Sequence, residues 1–220
     1  MKYTAFIPVK ANSSRLPGKN ILKLGNENLL TRKIKQLKNS NIADKILVSS
    51  DSDEMLNIAI DMGVDAIKRP LYFANETRPL SEFFDYIVNI IPSGHMIWSC
   101  VTSPFFDDKL MVDAKNAYIS ALNNNYDSLI TMYNFKHYLF NKSGPLNFGV
   151  GKEHQNSQHL DSIDLFTNGI LFASTSNVKK WHYKYGPNPY RFYVNQIASL
   201  DIETPEDYCI AKAYIEAFKL

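Results

Sequence analysis

Three basic residues lie among small residues in a predicted loop near the start of this 220-residue chain. Lys10, Arg15 and Lys19 follow the apolar run of residues 3 to 9. Small side chains let backbone N–H groups approach phosphate oxygens, while long basic side chains supply charge and directed donors. The small residues of the loop are Ala11, Asn12, Ser13, Ser14 and Gly18. This pattern predicts a triphosphate-binding loop, with a solvated surface loop as the alternative.

Two carboxylates, Asp201 and Glu203, lie near the end of the chain with one residue between them. We expect them at the end of a strand over residues 196 to 201, where residues two apart project to the same face of the sheet. Mg²⁺ prefers one or two carboxylates together with phosphate oxygens and waters. The pair therefore predicts a magnesium site. For Glu203 the alternative is an electrostatic role at the start of the following helix.

Two further polar motifs admit two interpretations each. The amide of Asn20 can bond a ribose hydroxyl or a phosphate oxygen, or it can close a turn. Asp51-Ser52-Asp53 is a D-x-D motif, which many glycosyltransferases use to hold a metal and a nucleotide sugar. Short polar residues that satisfy the N–H groups at a helix start are the favoured explanation of that motif. The chain has neither a Walker motif nor G-x-G-x-x-G, which disfavours P-loop ATPases and Rossmann dehydrogenases.

The elements that must position these residues alternate between strand-like apolar runs and helix-like periodic segments. Strands are predicted near residues 3–9, 44–50, 64–67, 95–101, 127–133, 168–173 and 196–201. Helices are predicted near residues 28–39, 52–62, 79–91, 107–123, 175–181 and 205–218. This alternation predicts an α/β fold of three layers around a mostly parallel sheet, with the cationic loop at the carboxyl end of the first strand.

Composition narrows the class of protein. At 220 residues with 45% hydrophobic content, we expect one domain over residues 1–220 and no membrane-spanning segment. The N-terminus lacks the apolar core of a signal peptide, so we expect a cytoplasmic protein. Its two cysteines, Cys100 and Cys209, have no C-x-x-C spacing and predict neither a disulfide framework nor a zinc site. A net charge of +2 without a basic stripe argues against nucleic-acid binding.

Residues 134 to 167 interrupt the alternation of strands and helices. Polar residues are scattered there among aromatic residues such as Tyr138, Phe140 and Phe148. About 34 residues without clear regular structure inside a compact domain indicate a functional excursion, inserted as an arm. A mobile surface loop is the alternative, although aromatic side chains are costly to leave in water.

The cationic loop resembles the I-P-A-R-G-G-S-K-R-I-P-G-K-N signature of the acylneuraminate cytidylyltransferases, also called CMP-sialic acid synthetases. The residues that match directly are Ile7, Pro8, Ser13, Arg15, Pro17, Gly18, Lys19 and Asn20. Further similarity follows in the same order at residues 48–54, 69–70, 102–104, 168–169 and 200–207. The resemblance implies a fold like that of the nucleotide-diphospho-sugar transferases. It also implies a homodimer, in which the arm crosses to the partner subunit.

The resemblance implies transfer of CMP from CTP to a hydroxyl of an acidic sugar of the sialic, pseudaminic or legionaminic acid type, with Mg²⁺ required and pyrophosphate released. Lys19, Arg15 and Asp201 would be catalytic, and Asp201 and Glu203 would hold the metal. The nucleotide-binding residues would be Lys10, Ala11, Asn12, Ser13, Ser14, Asn20, Arg69 and Ser81. The acceptor would contact Gln158, Asn168, Gly169, Thr102 and Ser103. For Arg69, which would face the cytosine, a surface arginine is the competing interpretation.

Three positions near this chemistry depart from the family pattern. Lys10 replaces an arginine, Cys100 replaces the glutamine of Q-P-T-S-P, and Glu203 replaces the second aspartate of Asp-x-Asp. Two alternatives therefore stay open. One is a glycosyltransferase that uses the D-x-D motif, and the other is a non-catalytic nucleotide-binding module.

Overall fold

A central sheet of seven strands organises the computed structural model, which describes residues 1–75 and 77–218. The strands of this sheet are β1 (Tyr3–Pro8), β4 (Lys45–Ser50), β5 (Asp65–Lys68), β6 (His95–Trp98), β7 (Ser128–Phe135), β10 (Ile163–Ser174) and β11 (Pro189–Val194). Their order across the sheet is β11-β7-β10-β6-β1-β4-β5. Every neighbouring pair is parallel except those that involve β10, which runs antiparallel to both β6 and β7.

Helices cover both faces of the sheet. They are α1 (Leu29–Ser40), α2 (Asp53–Asp61), α3 (Leu71–Ala74), α4 (Leu80–Ile90), α5 (Asp108–Asn123), α6 (Thr175–Trp181) and α7 (Pro205–Phe218). In β1, Ala5 and Ile7 pack in a core with residues of α1, α2, α5 and α7. Phe6, between them, points to a second core with residues of α4 and α6. This alternation along a buried strand gives the three predicted layers.

Short polar side chains fix several helix starts. Asn28 forms a capping box with Thr31 at α1, and Ser52 and Asp107 accept from backbone N–H groups at the starts of α2 and α5. At α7 the backbone N–H of Asp207 donates to Thr204 Oγ1 at 3.3 Å, so Thr204 caps this helix. The six predicted helices begin and end within about three residues of the observed ones. None of the helices in the described part of the chain is long and apolar enough to cross a bilayer.

The predicted strand over residues 196–201 is wrong. Those residues form turns, in which Asn195 Oδ1 accepts from the backbone N–H of Ala198 at 2.9 Å and the Asn195 carbonyl accepts from that of Ser199 at 3.1 Å. The strand of the central sheet that the prediction missed is β11, at the edge of that sheet. It begins at Pro189, which an edge strand tolerates at its first position.

The arm predicted at residues 134–167 is more regular than expected. Strands β7 and β10 remain paired along it as far as Phe135 and Ile163. Between them lie a small hairpin, β8 (Phe140–Asn141) with β9 (Gly144–Pro145), and two 3-10 turns, Gly151–Glu153 and Ser157–His159. The two remaining short strands, β2 (Lys23–Leu24) and β3 (Glu27–Asn28), form a separate hairpin that leads into α1.

Candidate active site

The cationic loop leaves the carboxyl end of β1 and closes on itself. Asn20 Nδ2 donates to the Lys10 carbonyl at 2.9 Å, and the backbone N–H of Ala11 donates to Asp51 Oδ1 at 2.8 Å. Gly18 has φ +64°, a left-handed conformation that glycine adopts without steric cost, and the 3-10 turn Lys19–Ile21 follows it. Asn20 thus has the turn-closing role. The Ala11 N–H is already paired with protein, so the prediction that it binds phosphate requires that bond to be exchanged.

Two cations of the loop meet one carboxylate from the far end of the chain. Lys19 Nζ lies 2.7 Å from Glu203 Oε2, and the guanidinium of Arg15 pairs with the same oxygen. The Lys19 side chain is only 10% exposed, whereas that of Arg15 is 63% exposed. The structure therefore brings the predicted triphosphate loop and one of the predicted metal ligands into direct contact across 184 residues of sequence.

Asp201 and Glu203 do not lie at the end of a strand, and hydrogen bonds to other parts of the chain hold them in place. Between them, the fully buried Ile202 donates its backbone N–H to the Thr102 carbonyl at 2.8 Å. Asp207 accepts from the backbone N–H groups of Glu203 and Thr204, at 3.0 and 2.8 Å. Partial burial would raise the pKa of Asp207, but these hydrogen bonds lower it below its ordinary value. The expected geometry of a strand end is thus wrong, although the two carboxylates still reach the site.

Asp201 belongs to a polar chain that also contains the predicted acceptor residue Asn168. Asn168 Nδ2 donates to Asp201 Oδ2 at 2.9 Å, and Lys184 Nζ donates to Asn168 Oδ1 at 3.0 Å. The other carboxylate oxygen, Asp201 Oδ1, is buried and has no hydrogen-bond partner among the described residues. A buried carboxylate oxygen without a partner is costly, which suits a metal ligand.

Lys184 was not predicted from the sequence, yet it is one of the few buried lysines. It is 9% exposed, and its ammonium lies 5.3 Å from the centroid of the Trp98 ring and 5.2 Å from that of Phe166. Burial lowers the pKa of Lys184, while Cys100 and Asp201 act in the opposite direction. The sequence signal was a lysine between two tyrosines, Tyr183 and Tyr185, which alone does not indicate burial.

Helix α1 holds the T-S-P segment, residues 102–104, in place. Lys33, 1% exposed, donates to the carbonyls of Ser103 at 2.9 Å and of Phe106 at 3.3 Å. Burial lowers the pKa of Lys33 to about 7, against the opposing effect of Cys100. Thr102 and Ser103 are themselves buried, and Ser103 Oγ has no partner among the described residues. Two of the predicted acceptor residues thus line a turn that a buried cation holds in place.

Gly169 is needed for close packing. A Cβ at this position would lie 2.5 Å from a ring carbon of Phe106. The position falls within the register shift of β10 between Thr167 and Phe172, where the strand bulges against β7. The space beside this glycine is therefore filled by Phe106, and the predicted contact of Gly169 with the acceptor has no support on that side.

Arg69 is not a surface arginine. It is 4% exposed, with Nη2 donating to the Ser49 carbonyl at 2.6 Å and its guanidinium 4.8 Å from the centroid of the Phe83 ring. Burial lowers the pKa of Arg69 to about 10. A groove of about 380 Å³ opens beside it, lined by Lys10, Arg69, Phe73, Ala74, Asn75, Arg78, Pro79, Leu80 and Phe83. Lys10 thus connects the cationic loop to a groove with aromatic walls, as a nucleobase site requires.

Three further predictions have less support from this geometry. Ser81 is exposed near the start of α4, and Gln158 is exposed on the arm, so both stay predictions. The D-x-D motif is divided between separate roles. Asp51 holds the cationic loop through Ala11, and Asp53 pairs with Lys68 at 2.5 Å. This division disfavours a shared metal at the motif.

Across the described residues, no cluster of three or more His, Cys, Asp or Glu side chains could hold a metal by itself. A site that depends on Asp201 together with ligand oxygens is compatible with this result, because Mg²⁺ commonly takes one or two carboxylates plus phosphate.

This chain is similar to known cytidylyltransferases. The family model described as cytidylyltransferase matches residues 4–147. The pseudaminic acid cytidylyltransferase of Campylobacter jejuni serotype O:23/36 is 24% identical over 96% of this chain and 95% of its own length. The N-acylneuraminate cytidylyltransferase of Escherichia coli O18:K1:H7 is 30% identical over 53% of this chain and 28% of its own length. A solved structure of CMP:2-keto-3-deoxy-manno-octonic acid synthetase complexed with CTP superposes with a TM-score of 0.70, at 14% identity and full coverage of both chains.

Proposed function

This chain belongs to the cytidylyltransferase family, and from that premise we propose that it transfers CMP from CTP to a hydroxyl of an acidic sugar, with release of pyrophosphate. As a member of that family it is a nucleotidyltransferase. Its relatives include proteins named pseudaminic acid cytidylyltransferase and CMP-N,N'-diacetyllegionaminic acid synthase. The acceptor we propose is therefore a nonulosonic acid of the sialic, pseudaminic or legionaminic type.

The observation that carries this proposal is the contact of Lys19 and Arg15 with Glu203. Through this contact the cationic loop lies next to the segment that contains Asp201. Transfer of a nucleotidyl group needs positive charge at the phosphates and a positioned acceptor hydroxyl at the same place. A cationic loop on a remote surface would have been incompatible with this chemistry.

Each group of side chains has a distinct task in the proposed reaction. Lys19 and Arg15 stabilise the charge that accumulates on the phosphate oxygens as pyrophosphate leaves. Lys10 and Arg69 line the groove that would take the cytosine and ribose, with Phe73 and Phe83 as its apolar walls. Asn168 and the turn at Thr102 and Ser103 lie on the acceptor side, next to Asp201.

Magnesium fits this site at Asp201. The orphaned Oδ1 of Asp201 is a suitable ligand, and Glu203 would join it once the triphosphate replaces its carboxylate as the partner of Lys19 and Arg15. When bound, Mg²⁺ supplies charge neutralisation on the phosphates and a template for the acceptor oxygen. We also propose a homodimer, supported by the apolar residues exposed on the arm, and a cytoplasmic location, where CTP is available.

The direct test is to combine the purified chain with CTP, Mg²⁺ and a panel of sialic, pseudaminic, legionaminic and KDO acids, and to measure pyrophosphate release. We expect release with at least one nonulosonic acid and strong dependence on CTP over UTP. Lys19→Ala and Asp201→Ala should each lower kcat by at least about 100-fold, as expected for lost transition-state stabilisation. The exposed Lys109→Ala, at the start of α5, serves as a matched control.

Two outcomes would contradict the proposal in different ways. CTP binding without turnover across the whole panel would favour a non-catalytic nucleotide-binding module. Turnover that survives in both Lys19→Ala and Asp201→Ala would keep the activity but remove the site described above.

A further inference from the structure

A polar chain of three side chains ends at the carboxylate of Asp201, whose Oδ2 it holds and whose Oδ1 has no hydrogen-bond partner among the described residues. Lys184 Nζ donates to Asn168 Oδ1 at 3.0 Å, and Asn168 Nδ2 donates to Asp201 Oδ2 at 2.9 Å. Lys184 is buried, and the rings of Trp98 and Phe166 lie against its ammonium. A buried cation held in this manner has little freedom to choose another partner.

Lys184 and Asp201, on either side of Asn168, determine which way the amide of Asn168 is turned. A lysine ammonium has only donors, and an ionised carboxylate has only acceptors. The amide of Asn168 lies between them, so its oxygen must face Lys184 and its nitrogen must face Asp201. Without Lys184 the amide oxygen of Asn168 loses its donor, and only the bond from Nδ2 to Asp201 Oδ2 then fixes the orientation of the amide.

We infer that Lys184 is a positioning residue of the transfer site, which fixes the amide of Asn168 so that Asp201 Oδ2 is held while the buried Asp201 Oδ1 stays unpaired. This inference rests on the proposed function, in which Asp201 binds metal together with the triphosphate. Lys184 acts through Asn168 and needs no contact with the substrate. Groups that orient a metal ligand commonly change metal affinity or activity by about 10- to 100-fold when they are removed.

The first measurement is the affinity for Mn²⁺ in the presence of CTP, followed by electron paramagnetic resonance of the free ion. Lys184→Met keeps a long apolar side chain between the two rings but has no donor. We expect it to weaken Mn²⁺ binding and lower kcat by about tenfold or more, with metal-free CTP binding unchanged because the cationic loop is intact. Lys184→Arg keeps a donor-only cation and should recover part of the loss.

The matched control is Lys115→Met. Lys115 also lies over an aromatic ring, with Nζ 4.6 Å from the centroid of Tyr3, but it belongs to α5. We expect its Mn²⁺ affinity and kcat to stay within about twofold of the unaltered chain, since surface changes away from a site have small effects. Thermal melting of every variant separates loss of folding from loss of positioning.

A double-mutant cycle tests whether Lys184 acts through Asn168. In the Asn168→Ala background, the change Lys184→Met should weaken Mn²⁺ binding by less than about twofold further, because the relay is already broken. Additive losses would overturn the inference, and so would a Lys184→Met variant that matches Lys115→Met. Failure of the unaltered chain to bind Mn²⁺ with CTP would overturn it as well. Absence of pyrophosphate release with intact Mn²⁺ binding would instead contradict only the proposed function.

Discussion

At the scale of single residues, Glu203 occupies two cations that are proposed to bind the triphosphate of CTP. Its Oε2 is shared by Lys19 and Arg15, both of which are proposed to bind the triphosphate. Arg15 is largely exposed, so its pair with Glu203 is weak, and the contact with the more buried Lys19 dominates. Any triphosphate must displace this carboxylate from the two cations.

The first prediction follows from that competition. Glu203→Gln removes the competing charge, so we expect metal-free CTP to bind about two- to fivefold more tightly, measured by calorimetry with EDTA present. With Mg²⁺ present, the same variant should turn over more slowly, because one proposed ligand is lost. Glu206→Gln, in the exposed first turn of α7, is the matched control and should leave both values unchanged. Weaker metal-free binding by Glu203→Gln would contradict the competition.

The second prediction concerns Arg69. Arg69→Lys keeps the charge but loses the planar fork, so the Ser49 carbonyl loses its guanidinium donor and keeps only the backbone N–H of Val9. Loss of a hydrogen bond from a charged group costs about 1.5–3 kcal/mol. For a chain of this size, each kcal/mol corresponds to about 2–4 °C in Tm. We therefore expect a Tm lower by several degrees by differential scanning calorimetry, together with reduced preference for CTP over UTP in competition assays.

The control for this prediction lines the same groove. Arg78 lies over the exposed Tyr72 ring, 4.3 Å from its centroid, so Arg78→Lys should leave the Tm within about 1 °C. Equal melting temperatures for Arg69→Lys and Arg78→Lys would show that the buried contacts of Arg69 contribute no net stability.

At the scale of elements, side chains of helix α1 hold residues 103–106 in place through hydrogen bonds to backbone carbonyls. Arg32, Lys33 and Gln36, on one face of the helix, donate to the carbonyls of residues 103, 104 and 106. A fully buried ammonium is the costly member of this set, because it loses hydration on folding. Lys33 thus stabilises the turn that contains Ser103, one of the residues proposed to contact the acceptor.

The third prediction uses that cost. The pKa of Lys33 falls from its ordinary value of 10.5 to about 7 in the folded protein, so between these values the unfolded chain binds more protons and stability rises with pH. Relative to Lys33→Met, the unaltered chain should gain about 2 kcal/mol between pH 7 and pH 9, measured by urea unfolding. Below about pH 6 the difference should become constant, because Lys33 is then charged in both states.

Groups other than Lys33 titrate in both proteins, so most of their effects cancel when the free energy of unfolding of Lys33→Met is subtracted from that of the unaltered chain. Cys100, which lies in the same cluster, has its pKa raised by burial to about 11 and stays protonated in this window. An exposed control, Lys109→Met, should show no such dependence on pH. A constant difference for Lys33→Met over the same range would mean that Lys33 remains charged when folded.

Elements whose cues are local could be predicted from the sequence, and those that depend on tertiary contact could not. The short polar residues at 51–53 predicted the start of α2, and the apolar runs predicted the central strands. Strand β11 was missed because an edge strand buries its residues only partly. The predicted strand at 196–201 was wrong because those residues are held by turns, with Ile202 bonded to Thr102.

The same distinction holds for the site. Its basic loop and its two carboxylates could be predicted, because their residue types carry the chemistry in the sequence. Lys33 and Lys184 could not, since a lysine is ordinarily exposed and only the packing around it shows that it is buried. Lys33 donates to the Ser103 carbonyl and Lys184 donates to Asn168 Oδ1, and neither lysine has a local signature in the sequence.

At the scale of the whole molecule, the arm exposes more apolar surface than an isolated chain would favour. Several of its side chains are large, apolar and at least one third exposed: Tyr138, Phe140, Leu146, Val150, Ile163 and Leu165. Its own aromatic cluster, in which Phe148 packs against Tyr138 and Phe140, covers only part of that surface. Exposed apolar patches of this kind mark interfaces, which supports a second copy of the chain as the partner.

The fourth prediction tests whether the arm completes the partner's site. Gln158 lies on the arm, whereas Asp201 lies beside the cationic loop. If Gln158 serves the other subunit, a dimer of Gln158→Ala with Asp201→Ala contains one site with both residues intact. Mixing the two weakly active variants should then restore pyrophosphate release, to about a quarter of the unaltered rate after random exchange, because half of the dimers are mixed and each has one intact site.

Two comparisons make this result decisive. Phe140→Asp should shift the chain toward monomer in light scattering and abolish the restoration, because it places a charge in the proposed interface. Ile60→Asp, at an equally exposed apolar residue of α2, should do neither. If the mixture stays inactive while subunits are shown to exchange, Gln158 acts within its own subunit or has no role. The arm would then provide assembly without contributing to the partner's chemistry.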